Sequence, residues 1–200
     1  MKHFNPQPEP RDFDRRARQP GRAWLRDHLD QAGNLPQGTR PRDYWSDFRG
    51  ALAEGFDNLC AYTVMLTTEG TVDHYLSCNH HPDLAYEWSN YRFVMGWINS
   101  SKGDLDAAVL DPFEVQEDWF EIILPSLQLC LTDKVPPAQR DRAQFTLTRL
   151  HLDHDERIIR VRQQWYQLYL DGYLPLAGLQ KVAPLIARAV MRDIAERSEP

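Results

Sequence analysis

The chain has 200 residues, 42% of them hydrophobic and 26% charged, with a formal net charge of −6. That is room for one domain with a sizeable core, and the balance is that of a folded chain, not a disordered one. It excludes attraction to nucleic acid by bulk charge, and no apolar run approaches the roughly 20 residues needed to cross a bilayer. Residues 1–22 have no apolar core and are not read as a secretory signal. Cys60, Cys78 and Cys130 are odd in number and widely spaced, which argues against a disulfide framework and fits a reducing compartment. A cytoplasmic protein without a membrane segment is expected.

Three segments are expected. Residues 1–40 are basic and Pro-rich with one short helix, residues 41–115 hold the chemistry, and residues 116–200 are helical. Within the first, residues 1–26 carry seven basic and three acidic side chains. Such a segment is either an arm for a polyanion or a loosely held, solvated terminus. A short helix is predicted over Ala23–Gly33, closed by Gly33. From Arg42 a second helix is predicted, with Tyr44, Phe48, Leu52 and Phe56 forming an apolar stripe beside Trp45.

Past Phe56 the pattern turns β-branched and aromatic. Two short strands are expected before and after a turn at Glu69-Gly70, the second running Thr71–Leu76. A polar loop follows from Ser77 to Asn90, then a third strand at "YRFVMG", then a helix beginning near Trp97–Asn99 and faltering at Gly103. The rest is read as helices. Phe145, Leu147 and Leu150 are placed on one helical face, and Asp153 with Glu156 at capping-box spacing opens a long helix that ends at Gly172. A last amphipathic helix is interrupted or started at Pro184.

No phosphate loop, Cys-x-x-Cys pair or nucleophile elbow occurs. What stands out is the order Asp73-His74, Asn90-Tyr91-Arg92, Asn99-x-x-Lys102. One-metal phosphodiester hydrolysis needs a base for water, a hard cation on the phosphate and the leaving oxygen, and something to orient the base. An Asp-His pair at a strand end can supply ligand and base. An Asn on the facing strand can orient the imidazole or fix the loop. An Asn on the following helix can return an oxygen to Mg²⁺ or Mn²⁺. Singly, each residue is more ordinary than this: Asp-His is a common surface dipeptide, and Asn90 or Asn99 can simply mark a turn or a helix start. Arg92 can contact phosphate or pair with Glu87. His80 and His81 touch substrate or cap the loop.

Together, "CAYT", "TVDHYL", "AYEWSNYR", "INSSKGD" and "LDPF" resemble the HNH endonucleases, the ββα-metal nucleases, over about Leu59 to Phe113. The flanking helices are similar to a bacterial subgroup, some of whose members serve in anti-phage defence. The resemblance implies an α+β fold, mainly helical, with an embedded ββα-metal core. It implies DNA as substrate, with RNA left open. Asp73 and Asn99 would bind a single Mg²⁺ or Mn²⁺, His74 would be the general base, and Asn90 the middle residue of the motif. Lys102, one helical turn on, would meet a phosphate, with Arg92 and His81 as further substrate contacts. Many members carry two Cys pairs. Here Cys60 stands alone, and Met95 and Ile98 occupy the region of the second pair, so structural zinc is not expected. The acidic balance suggests that DNA affinity depends on a partner subunit, such as an ATPase, or on an oligomer of this chain. The competing expectation is a catalytically silent HNH-like subunit that binds nucleic acid or protein.

Overall fold

A computed structural model describes residues 1–198. It is a mixed α+β structure. The helices are α1 (Gln19–His28), α2 (Arg49–Gly55), α3 (Gly96–Lys102), α4 (Pro137–Arg149), α5 (Glu156–Leu170), α6 (Leu176–Val182) and α7 (Pro184–Ser198). Two small antiparallel sheets accompany them, β1 (Gly70–His74) with β2 (Tyr91–Met95), and β3 (Phe120–Ile123) with β4 (Gln128–Leu131). None of the described helices is long and apolar enough to cross a membrane.

The strand–strand–helix order of residues 70–102 follows the change of sequence period. In β1 and β2, opposed residues share a face, so Val72 meets Phe93, Asp73 meets Arg92, and His74 meets Tyr91. The helix α3 packs on both strands, from the Thr71 and Asp73 side. Gly70 is needed on the other side. A Cβ there would lie 2.2 Å from the Phe93 ring. Gly70→Ala should therefore overpack a buried aromatic and cost about 1–3 kcal/mol, read as a lowered denaturation midpoint. An unchanged midpoint would mean that Phe93 can move aside.

Several expectations are corrected. Residues 1–22 are not loosely held. Met1, Phe4, Phe13 and Ala17 are buried in the main core, and a π-helical turn at Asp14–Arg18 leads into α1. Phe4 packs against Phe56 and Phe13 against Phe48, so the apolar residues of this segment outweigh its Pro content. The basic residues there are largely neutralised: Arg15, Arg16, Arg18 and Arg22 all sit in ion pairs. The first helix starts earlier than Ala23 and stops at His28, before Gly33. The helix expected from Arg42 begins only with a 3-10 turn at Ser46–Phe48.

The expected first strand is a tight turn with a single bridge between Leu59 and Leu66. Cys60 N donates to Met65 O and Val64 N to Cys60 O, with Val64 at φ 55°. The β-branched residues are spent on burying this turn rather than on a ladder. Strand β1 stops at His74, because Leu76 N turns to the Asn90 side chain. The C-terminal part is not all helix: β3 and β4 form a hairpin across "FEIILPSLQLCL". Phe145 is exposed while Leu147 and Leu150 are buried, as a helix repeat of 3.6 requires. The cap of α5 is Asp155, which accepts from Arg157 N, and not Asp153.

Candidate active site

The two strands are joined by sixteen residues that do not form a hairpin turn, so this loop must be pinned. Asn90 pins it. Its Oδ1 accepts from Leu76 N at 2.8 Å, and its Nδ2 donates to Leu76 O and Leu84 O at 2.9 and 3.3 Å. Every polar atom of this buried amide is spent on backbone, and among the described residues no hydrogen bond links it to the imidazole. The far side of the loop is tied to the segment after α3. Ser77 N donates to Asp106 at 2.5 Å, Asn79 to Asp104 at 2.8 Å, and His80 Nδ1 lies 2.6 Å from Asp106. That last contact holds the His80 ring above its ordinary pKa. His81 is half-buried, 3.9 Å from Asp106.

The pinned loop presents the Ala85 carbonyl to His74. Imidazole Nε2 lies 2.8 Å from Ala85 O, and Tyr91 Oη donates to the same oxygen at 2.8 Å. A carbonyl can only accept, so Nε2 carries the proton and Nδ1 is the lone-pair nitrogen of the neutral ring. Among the described residues Nδ1 makes no hydrogen bond, and it keeps solvent access. The ring is half-buried by area, but Trp45 and Tyr91 pack on it in T-shaped pairs, at centroid distances of 4.6 and 5.0 Å. Burial lowers the pKa to about 4, with the Ala85 hydrogen bond pulling the other way. His74 is therefore a neutral acceptor at pH 7.

His74, Asp73 and Asn99 line one cavity of about 420 Å³, together with Arg40, Asp43, Trp45, Cys78 and Asp104. Asn99 Nδ2 donates to Thr71 Oγ1 at 3.1 Å and Val72 O at 3.3 Å. Thr71 Oγ1 gives its own proton to Val94 O, so both partners need a donor and Asn99 Oδ1 is left over. Asp73 is buried. Its Oδ1 accepts from Lys102 Nζ at 3.0 Å, while Oδ2 has no partner. Burial pushes this carboxyl up, and the Lys102 ammonium pulls it back. Asp73 Oδ2 is an orphaned carboxylate oxygen without accessible surface, and Asn99 Oδ1 is a spare amide oxygen; both are hard donors of the kind a divalent cation takes, on residues that line one cavity. Two protein donors make a weak site, and the ammonium on Oδ1 weakens it further. Cys78 does not help, since burial pushes its thiol up to about 12. Among the described residues no group of three or more His, Cys, Asp and Glu side chains stands at metal-binding spacing.

Two expected substrate contacts are placed elsewhere. Arg92 is buried and bidentate to Asp111, at 2.7 and 2.5 Å, with its remaining nitrogen on Ser89 O and Tyr91 O. Its plane also lies 3.7 Å from the Phe113 ring centroid. Four of its five N–H groups are taken and burial keeps the fifth from phosphate, while Glu87 pairs with Arg18 and Arg22 instead. Lys102 is equally enclosed, donating to Asp73 and, at 2.8 Å, to His74 O. Ala85 is invisible to residue-type reasoning, because its part is played by its backbone carbonyl. Trp45, expected beside a core stripe, instead packs on the His74 ring and lines the cavity.

Removing Asn90 tests this arrangement. Asn90→Ala leaves the Leu76 N–H and two carbonyls unpaired and should cost about 1–3 kcal/mol. If the loop sets the imidazole through Ala85, any hydrolytic kcat should fall with KM retained. A loss of stability with kcat intact would confine Asn90 to a structural role.

In comparisons with known proteins, no family model matches the chain and no curated protein matches it.

Proposed function

We propose that the chain is a cytoplasmic, metal-dependent endonuclease with a ββα-metal site, hydrolysing phosphodiester bonds in DNA, in the setting of bacterial anti-phage defence. The observation that carries this reading is the Ala85–His74 contact. It commits Nε2 as donor and leaves Nδ1 as a free base on a cavity where Asp73 and Asn99 each have an oxygen to spare.

In this reading Nδ1 accepts the proton of the attacking water as its oxygen bonds to phosphorus, and the phosphorus–oxygen bond to the leaving strand end breaks with its electron pair going to the leaving oxygen. The Trp45 and Tyr91 rings hold the imidazole in place, and the Ala85 carbonyl, which accepts from Nε2, supports the imidazolium as it forms against the burial that opposes it. Asp73 Oδ2 and Asn99 Oδ1 would hold one Mg²⁺ or Mn²⁺. When bound, that cation supplies charge neutralisation at the scissile phosphate and the leaving oxygen. Asn90 is a positioning residue that acts through the loop. Plasmid incubated with the protein and Mg²⁺ or Mn²⁺, beside His74→Ala, tests the proposal. Cleavage that depends on metal and on His74 is expected, and intact plasmid under both metals would sink it.

A second reading is favoured by the Lys102–Asp73 pair. The ammonium already occupies the carboxylate that a metal would need. A catalytically silent subunit, binding DNA or a protein partner such as an ATPase, would retain this pair and show no metal dependence.

A further inference from the structure

Hydrolysis in the His74 cavity needs a group that holds the substrate's negative charge. Arg92 and Lys102 cannot do so, because both are buried and each is held by a carboxylate of its own, Asp111 and Asp73. The described cavity lining carries three carboxylates, Asp43, Asp73 and Asp104, against one cation, Arg40. Two of the carboxylates are occupied by local donors. Asp43 accepts from Trp45 N, Ser46 N and Ser46 Oγ, and Asp104 from Ser77 Oγ and Asn79 Nδ2. Arg40 is exposed, and among the described residues it makes no ion pair and no hydrogen bond. Its five donors are unspent. Pro41 follows it, which restricts the Arg40 backbone to extended conformations and lowers the cost of fixing it. A guanidinium meets phosphate oxygens in a bidentate fork.

We propose that Arg40 is the phosphate anchor of this site, gripping the backbone of a nucleic-acid strand so that a phosphodiester faces His74. The inference rests on the nuclease reading of the cavity and adds the residue that positions the substrate. Arg40 is a positioning residue, since it donates to the strand and takes no part in proton transfer.

The test has a binding arm and a cleavage arm. Binding of a short fluorescent DNA duplex is followed by anisotropy in EDTA, over a range of salt starting low. Arg40→Ala should bind about tenfold more weakly, with the log–log salt slope flattened by about one. Arg40→Lys should keep the slope and lose only part of the affinity. Arg149→Ala removes an exposed arginine outside the cavity lining and should change neither. The anchor is overturned if Arg40→Ala binds like the parent, if the parent shows no salt-dependent binding, or if Arg149→Ala loses as much. In cleavage, Arg40→Ala should raise KM and spare kcat, as expected for uniform binding. A parent that cuts plasmid while Arg40→Ala binds and cuts equally well rejects the anchor and keeps the nuclease. A parent that binds through Arg40 but never cuts rejects the nuclease and keeps the anchor.

Discussion

His74→Ala should lower the rate of metal-dependent DNA cleavage by about 10²–10⁴-fold while leaving DNA binding unchanged. The lost group is the proton acceptor, and neither cavity oxygen offered to the metal belongs to it. The pH dependence carries more information. An ordinary imidazole would make activity rise as pH passes through 6–7. Burial lowers His74 to about 4. The acid limb of the rate should accordingly lie near pH 4, with a plateau through neutrality. A limb at 6–7 would mean that the ring is better solvated than its aromatic surroundings allow.

The same shift predicts a stability effect that does not depend on activity. The folded pKa lies below the unfolded one, near 6.5, so the unfolded chain takes up the proton first as pH falls. The contribution of the neutral ring is fully present above about 6.5 and is lost on the way to 4. Its size is at most about 3 kcal/mol, and less to the extent that the cavity side of the ring is wet. Denaturation at pH 7 and pH 5 should show a smaller acid loss in His74→Phe than in the parent. Equal losses would place the titration elsewhere.

The strand–strand–helix element was legible because its period changes from 2 to 3.6 within a few residues, and Gly70 and Gly103 bracket it. Asp73, His74 and Asn99 line one cavity. What the spacing could not show is which way charges point. Lys102 was expected to reach outward to phosphate, yet i to i+3 on a short helix turns it toward the strand face that holds Asp73. Arg92 is opposite Asp73 in the ladder, so it too lies on the inner face, where Asp111 from the "LDPF" stretch meets it. The β3–β4 hairpin was missed because Pro125 interrupts its alternation. The burial of residues 1–22 was missed because Met1, Phe4 and Phe13 are too sparse to form a periodic pattern.

Lys102→Met should destabilise the fold by about 3–5 kcal/mol, the usual cost of leaving one partner of a buried ion pair without the other. Asp73 would then be a buried carboxylate with neither oxygen satisfied, and His74 O would lose its donor. Asp73→Asn/Lys102→Met should recover much of the loss, since the remaining groups are neutral. Acid should narrow the gap for the single variant. Without the ammonium, burial acts on Asp73 against the Arg92 charge only and raises its carboxyl further, so protonation as pH falls removes the unpaired charge. A divalent cation gives the second readout. If Asp73 is a metal donor, Mn²⁺ should raise the melting temperature of Lys102→Met more than that of the parent, where ammonium and cation compete for one carboxylate. Asp73→Asn/Lys102→Met should show no such shift. A cost below about 1 kcal/mol would mean that the pair is replaced by water. A full cost with no Mn²⁺ shift would leave the ammonium as the sole partner of Asp73, and the silent-subunit reading would then take the place of the nuclease.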